Sequence, residues 1–309
     1  MEKIIQENNA VKKRKKLKKS NVIFAVISSV ILGAISLFYI VLLCWALISS
    51  FKSNLDFGYN PIGFPQAESW AGWHFENYYV AYRVLTVGVT YAERTVTVYA
   101  HEMLLNSVIY SVGCAISAVF WTALVAYCCS RFDYKICNVL YAVVIVVMML
   151  PIIGALPSEV QMAKTLGLYD SLFGMFIMRA GFVNMNFLVF YGAFKGIPKT
   201  YTEAAIIDGC GQWRVFFQII LPLVKSSLLA VGLLQFIMYW NDYSIPMIYL
   251  PHHPVLSFGL HQFQESRSQH ATEPIKLAAT FICCAPVLVI FLIFRDKLMS
   301  NISFGGLKG

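Results

Sequence analysis

Charge is what this sequence has least of. Of its 309 residues only 13% are Asp, Glu, Lys or Arg and 58% are apolar, whereas soluble domains carry about 25% charged residues. With a mean hydropathy of +0.65, that deficit excludes an ordinary soluble domain and indicates an integral membrane protein. The long apolar runs lack period-2 alternation, which argues against a membrane β-barrel. Cysteine is missing from the long loops 51–101 and 251–273. Cys44, Cys114, Cys128, Cys129, Cys137, Cys210, Cys283 and Cys284 all fall in apolar segments or beside basic loops, so no disulfide framework is expected. Cys128-Cys129 and Cys283-Cys284 are adjacent pairs without metal-ligand spacing, and His252, His253, His261 and His270 have no ligand-like spacing with acids. The chain has no G-x-x-x-x-G-K-[ST] phosphate loop; the terminal Gly305-Gly306-Leu307-Lys308-Gly309 has neither its spacing nor its hydroxyl. With no catalytic triad or paired carboxylates either, the chain is expected to be non-catalytic, with no metal or cofactor of its own.

Six apolar stretches are long enough for helices that cross a bilayer, which takes roughly 20 residues: 22–50, 103–130, 136–162, 172–194, 219–250 and 276–294. The expected fold is an all-α integral membrane bundle. Its parts are a basic N-terminus (1–21), a membrane domain (22–298) and a C-terminal tail (299–309). An even number of spans puts both termini on one side. If that side is cytoplasmic, it holds 17 of the 24 Lys and Arg, the bias that short cytoplasmic loops show. The block Lys12-Lys13-Arg14-Lys15-Lys16-Leu17-Lys18-Lys19 then reads as the charge that holds the first span inside. The run after it is too long for a signal peptide, and no cleavage site closes it. The net charge of +8 is thus mostly topology.

The loop 195–218 between the fourth and fifth spans offers the most local detail. Thr200 with Glu203 three residues on has the form of a capping box, Ala204 to Ile207 continue a helix, and Gly209 stops it. Two turns of helix are marginal alone in water, so docking is expected to stabilise them. The small Ala204 and Ala205 allow a partner surface to come close. Pro222 is expected to kink the chain where it enters the fifth span.

A second group is Phe236-x-x-x-Trp240-Asn241-Asp242-x-x-x-Pro246. Asn241 and Asp242 are costly against lipid and are expected to face the bundle interior or a water-filled path. Interhelical hydrogen bonding and contact with a transported solute both remain open for them, and Arg179 is a candidate partner for Asp242. Trp70, Trp73, Tyr78, Tyr79 and Tyr82 fit an interfacial aromatic belt better than a sugar-stacking surface.

The string Glu203-Ala204-Ala205-Ile206-Ile207-Asp208-Gly209, then nine residues, then Ile219-x-Leu221-Pro222, resembles the EAA loop of ABC importer permeases. Phe51-Lys52-Ser53, Asn77-Tyr78, Asn106-Ser107, Leu166-Gly167-Leu168, Trp240-Asn241-Asp242 and the glycine-rich tail extend the likeness over most of the chain. They direct it to the carbohydrate-uptake members, of the type of the maltose system's smaller permease. The resemblance implies a type I fold of six transmembrane helices with a short cytoplasmic coupling helix. It implies, as partners, a second permease, two ATPase subunits that bind ATP and Mg, and an extracytoplasmic sugar-binding protein. It gives Glu203, Ala204, Ala205, Asp208 and Gly209 the contact with the ATPase, and Lys308 a further one. It implies a bacterial cytoplasmic-membrane location and little direct sugar contact by this chain. Arg83–His101 is longer than the usual family link, and the stretch around Arg179 and Asn184-Met185-Asn186 is also unusual. The alternatives are an importer of a peptide, polyamine or phosphate, and an ion-coupled secondary transporter, which often shows an inverted repeat not seen here.

Overall fold

The computed structural model describes residues 19–66, 72–91, 94–150 and 154–302. It divides into two compact units, Met1–His74 and Phe75–Gly309. The basic block up to Lys18, Trp70 and the tail with Lys308 lie outside the described residues.

The first unit is dominated by α1, Lys19–Ser50. Its side chains from Ile23 to Leu43 are exposed except Ser28. A helix that is apolar on every side is built for a hydrocarbon surrounding. Past its end, Ser53 caps the short helix α2, Asn54–Tyr59, by accepting the Asp56 N–H. Lys52 donates to the Asn60 carbonyl at 2.6 Å, and the Trp45 indole donates to the Pro61 carbonyl at 2.8 Å.

The second unit is built around α4. Its elements in order are α3 (Glu76–Val84), strands β1 (Thr86–Tyr91) and β2 (Arg94–Tyr99), α4 (Ala100–Arg131), α5 (Lys135–Met149), α6 (Leu156–Thr165), α7 (Leu172–Met178), α8 (Met185–Lys195), α9 (Thr200–Ile207), α10 (Gln212–Leu223), α11 (Lys225–Asn241), α12 (Ser244–Tyr249), α13 (Leu256–Glu265) and α14 (Glu273–Ile302). At 32 residues, α4 is about 48 Å long. It packs against α11, α8, α7 and α13. Its buried face carries Ser107, Ser111, Cys114, Ala115, Ala118, Thr122, Ala123 and Ala126, small side chains that let neighbouring backbones approach. Two apolar cores are strung along it. One gathers Tyr110, Cys114 and Ala118 with Met175, Phe236, Trp240, Tyr249 and Ala279. The other gathers Ala123, Ala126 and Tyr127 with Phe187, Phe190, Phe194, Ala205, Phe216 and Val231.

Among the described residues three helices are long and apolar enough to cross a membrane: Ile23–Ser50, Ala100–Arg131 and Glu273–Arg295. They fall on the expected first, second and sixth segments. The other three segments, 136–162, 172–194 and 219–250, are not single helices. The third holds α5, 15 residues long, and most of the separate α6. The fourth is broken into α7 and α8 by Arg179–Asn184. The break is satisfied from α4: the Ser117 hydroxyl donates to the Phe176 carbonyl at 2.6 Å and the Thr122 hydroxyl to the Gly181 carbonyl at 3.3 Å. Asn184 restarts the helix by accepting the Phe187 N–H, and its amide donates to Thr122 and to Gly181. An interruption at membrane depth is tolerable when its backbone groups are paired in this way. The fifth segment is bent by 79° between α10 and α11. Pro222 has no N–H to give, and the turn before it widens into a π-helix over Val215–Ile220.

The extra length at Arg83–His101 is an antiparallel hairpin with Val87 opposite Val98 and Val89 opposite Val96. Val87, Val89 and Val98 are buried.

Candidate functional site

α9 begins one residue earlier than a capping box at Thr200 requires. Lys199 is the N-cap and is already in helical geometry, and no side chain caps this end. Thr200 and Glu203 are thus the first and fourth helical positions, so Thr200 does not act as the expected N-cap. Lys199 instead donates to Asp133 at 2.8 Å, which ties the start of α9 to the turn between α4 and α5. That bond holds the Asp133 carboxyl below its ordinary range. The pair is open to solvent and adds little stability.

The other end of α9 follows the sequence expectation. Gly209 lies at φ +80°, its N–H donates to the Ile206 carbonyl at 3.0 Å and the Cys210 N–H to the Ala205 carbonyl at 2.9 Å. These two bonds make a Schellman end, with glycine in the left-handed position. Leu166-Gly167-Leu168 closes α6 the same way, with Gly167 at φ +68° and bonds back to Lys164 and Ala163.

Ala205 is buried against the second core. Glu203, Ala204, Asp208 and Gly209 are exposed. Beside them Ile207 is 85% exposed and Trp213 66%. Sequence reasoning gave Ile207 and Trp213 no part in the site; in a loop with several apolar residues, nothing local showed which of them would stay exposed.

In the first core, Arg179 and Asp242 form no ion pair, contrary to the expected pairing. The Arg179 guanidinium lies 6.0 Å from the Tyr239 ring. Tyr239 meets Tyr110 edge-on at 6.0 Å, and the Tyr110 hydroxyl donates to Asp242 at 3.4 Å. Two aromatic rings thus stand between the charges. The second Asp242 oxygen accepts from the Ile245 N–H and the Ser244 hydroxyl, a local turn that prepares α12. Trp240 is buried and donates its indole N–H to the Cys283 carbonyl of α14 at 3.1 Å. Asn241 is exposed and donates to the Ile237 carbonyl.

Asn106 and Ser107 close the entry to α13. The Asn106 amide donates to the Pro254 carbonyl at 3.1 Å, and the Ser107 hydroxyl accepts the Leu256 N–H at 2.6 Å. A cluster the sequence did not indicate lies nearby. His252 Nδ1 is hydrogen-bonded to Asp170, its Nε2 faces the Thr90 carbonyl at 3.1 Å, and its ring stacks on Tyr91 at 4.4 Å. Asp170 itself sits at φ 57°. Both ring nitrogens face acceptors, so the pair of bonds is complete only for the imidazolium. Accordingly the Asp170 bond, then the Thr90 carbonyl, push the His252 pKa up.

Residues 118–302 match the family described as binding-protein-dependent transport system inner membrane component. This chain belongs to that family. It is a multi-pass inner-membrane protein. It is 28% identical to the diacetylchitobiose uptake system permease protein NgcG of Streptomyces coelicolor, over 91% of this chain and 88% of that one. It is 26% identical to a probable starch degradation products transport system permease, AmyC of Thermoanaerobacterium thermosulfurigenes, over 89% and 92%. Its fold is similar to a chain in the crystal structure of a bacterial ABC transporter that imports the acidic polysaccharide alginate, with a TM-score of 0.71, 20% identity and coverage of 90% and 98%.

Proposed function

We propose that this chain is a permease subunit of a binding-protein-dependent ABC importer for a sugar or oligosaccharide. The sugar reading draws on relatives named for diacetylchitobiose, starch products, arabinooligosaccharides and maltodextrin. The chain crosses the membrane six times with both termini cytoplasmic, and its third and fourth crossings are built from interrupted helices. A second permease, two ATPase subunits and an external sugar-binding protein complete the importer, and ATP is hydrolysed on the ATPase.

The observation that carries the coupling assignment is the build of α9. Ala205 fixes it to the core, Gly209 closes it, and Glu203, Ala204, Ile207 and Asp208 are left facing outward. It leads directly into the bent pair α10–α11. α9 is the coupling helix, Glu203 supplies a carboxylate for a basic residue of the ATPase, and Lys308 adds a contact from the tail. Arg179 and Asp242 belong to the moving bundle interior, and Trp240 to helix packing.

Purification in mild detergent followed by mass spectrometry tests this. Recovery of an ATPase with a phosphate-binding loop and a second permease is the expected result; recovery of this chain alone, under conditions that preserve known complexes, would overturn it.

A further inference from the structure

We propose that the small cavity between the C-terminal end of α11, α13 and α14 is a subsite for one ring of a neutral sugar; the proposal rests on the sugar-import reading above. The cavity holds about 160 Å³ and is lined by Trp240, Asn241, Tyr243, His261, Gln264 and Cys284 among others. This volume is small beside the roughly 300–1,000 Å³ of complete small-molecule sites. It therefore takes one ring, and the rest of an oligosaccharide lies against the second permease.

The lining has the two qualities that a sugar ring demands. Its aromatic part is fixed: Tyr243 stacks on His261 with centroids 4.1 Å apart, and Trp240 is held by its bond to the Cys283 carbonyl. Such rings offer flat apolar faces to the C–H side of a sugar, with polar tips at the edge. Its polar part is partly spoken for, and in a consistent sense. The Asn241 NH₂ donates to the Ile237 carbonyl at 2.9 Å and the Gln264 NH₂ to the Thr280 hydroxyl at 3.3 Å. Both amides are thereby oriented, and among the described residues their carbonyl oxygens have no protein partner. The His261 nitrogens are likewise unpartnered. Oriented free acceptors suit sugar hydroxyls, which donate. No Lys or Arg lines the cavity, and Asp242 is engaged by Tyr110, Ser244 and Ile245, so the class is a neutral sugar and not an acidic one. The larger cavity, about 480 Å³ between α4, α11 and α14, is lined by side chains such as Val112, Ile116, Leu229 and Phe236 and offers a sugar no hydrogen bonds.

The test uses the complete importer in proteoliposomes, with its own second permease, ATPase and binding protein. Radiolabelled diacetylchitobiose, maltotriose and raffinose serve as probes. Import by the unaltered complex reads the sugar assignment by itself; import of none of the three overturns that assignment and this one with it. Where a probe is imported, Gln264→Leu, which removes a hydrogen-bond acceptor, and Tyr243→Leu, which removes the aromatic face, are each expected to raise its half-saturating concentration about tenfold. They should also change the rate ratio between two imported probes and preserve ATPase stimulation by the sugar-free binding protein. Unchanged import and ratios in both variants overturn the subsite. Should the variants fail to assemble, Cys284 in the unaltered importer decides: an imported sugar is expected to slow its labelling by a thiol reagent, and equal labelling with and without sugar overturns the proposal.

Discussion

At the residue scale the clearest constraint is Gly209. A Cβ added there meets nothing within 4 Å, yet φ is +80°, so the cost of substitution is conformational and not steric. Gly209→Val is expected to destabilise the end of α9 by about 1–3 kcal/mol and to abolish ATP-coupled uptake while the chain still inserts. Gly209→Asn, which tolerates the left-handed region, should retain most uptake; transport assays on the pair separate strain from bulk. Among the described residues no group bonds the Glu203 carboxylate, so Glu203→Ala is expected to keep the fold and, if the proposed coupling role holds, to reduce uptake. Gly174 is the opposite case. Its Cβ would lie 2.1 Å from the Leu168 carbonyl oxygen, and backbone has little room to yield, so Gly174→Ala should lower the yield of folded protein in the membrane. His252 sets a pH dependence. Its pKa is raised above the ordinary 6.5 by the Asp170 and Thr90 bonds. The stability it adds to the hairpin junction is therefore full below 6.5 and is lost as pH rises through the raised value. Once the base-catalysed rise of intrinsic exchange is corrected for, the protection of β1 and β2 should fall over that interval, and His252→Asn should remove that extra fall.

At the scale of elements, the long helices were plain in the sequence and the interruptions were not. α1 and α4 are continuous because their apolar runs contain no competing local structure, and α14 continues through Pro286 within its apolar run. The run from Leu172 to Phe194 is apolar enough to be read as one helix, but Asn184 pairs its side chain with the Phe187 N–H and α4 supplies hydroxyls to the loosened carbonyls. That arrangement depends on contacts 59 residues apart, which no local pattern encodes. Asn184→Ala should cost about 1 kcal/mol, the typical value of an N-cap, measurable by unfolding in mixed detergent. The hairpin was more legible than the reading made of it: Val87, Val89, Val96 and Val98 alternate with Thr and Gly, the period of a strand, where only the extra length was noticed. At α9 the glycine stop was correctly read and the capping box was not, since Thr200 and Glu203 are both one position too deep in the helix to serve it. Pro222→Ala restores a backbone donor at the α10–α11 bend and is expected to straighten it. Spin labels on α10 and α11 measure the angle, and uptake per ATP measures the consequence.

At the scale of the whole molecule, the family membership was legible because a short motif with fixed spacing carries it, and the proposed site on α9 draws on the same motif. The partners of Arg179, Asp242 and His252 were not, because each is set by packing between distant segments. The last consequence concerns mechanics. α9 is fastened twice, at its start to the α4–α5 turn through Lys199 and Asp133 and at its end to the core through Ala205. One fastener is a solvent-exposed charge pair that salt screens, and the other is hydrocarbon that salt leaves in place. Rising ionic strength is thus expected to loosen the start of α9 while its end stays in place.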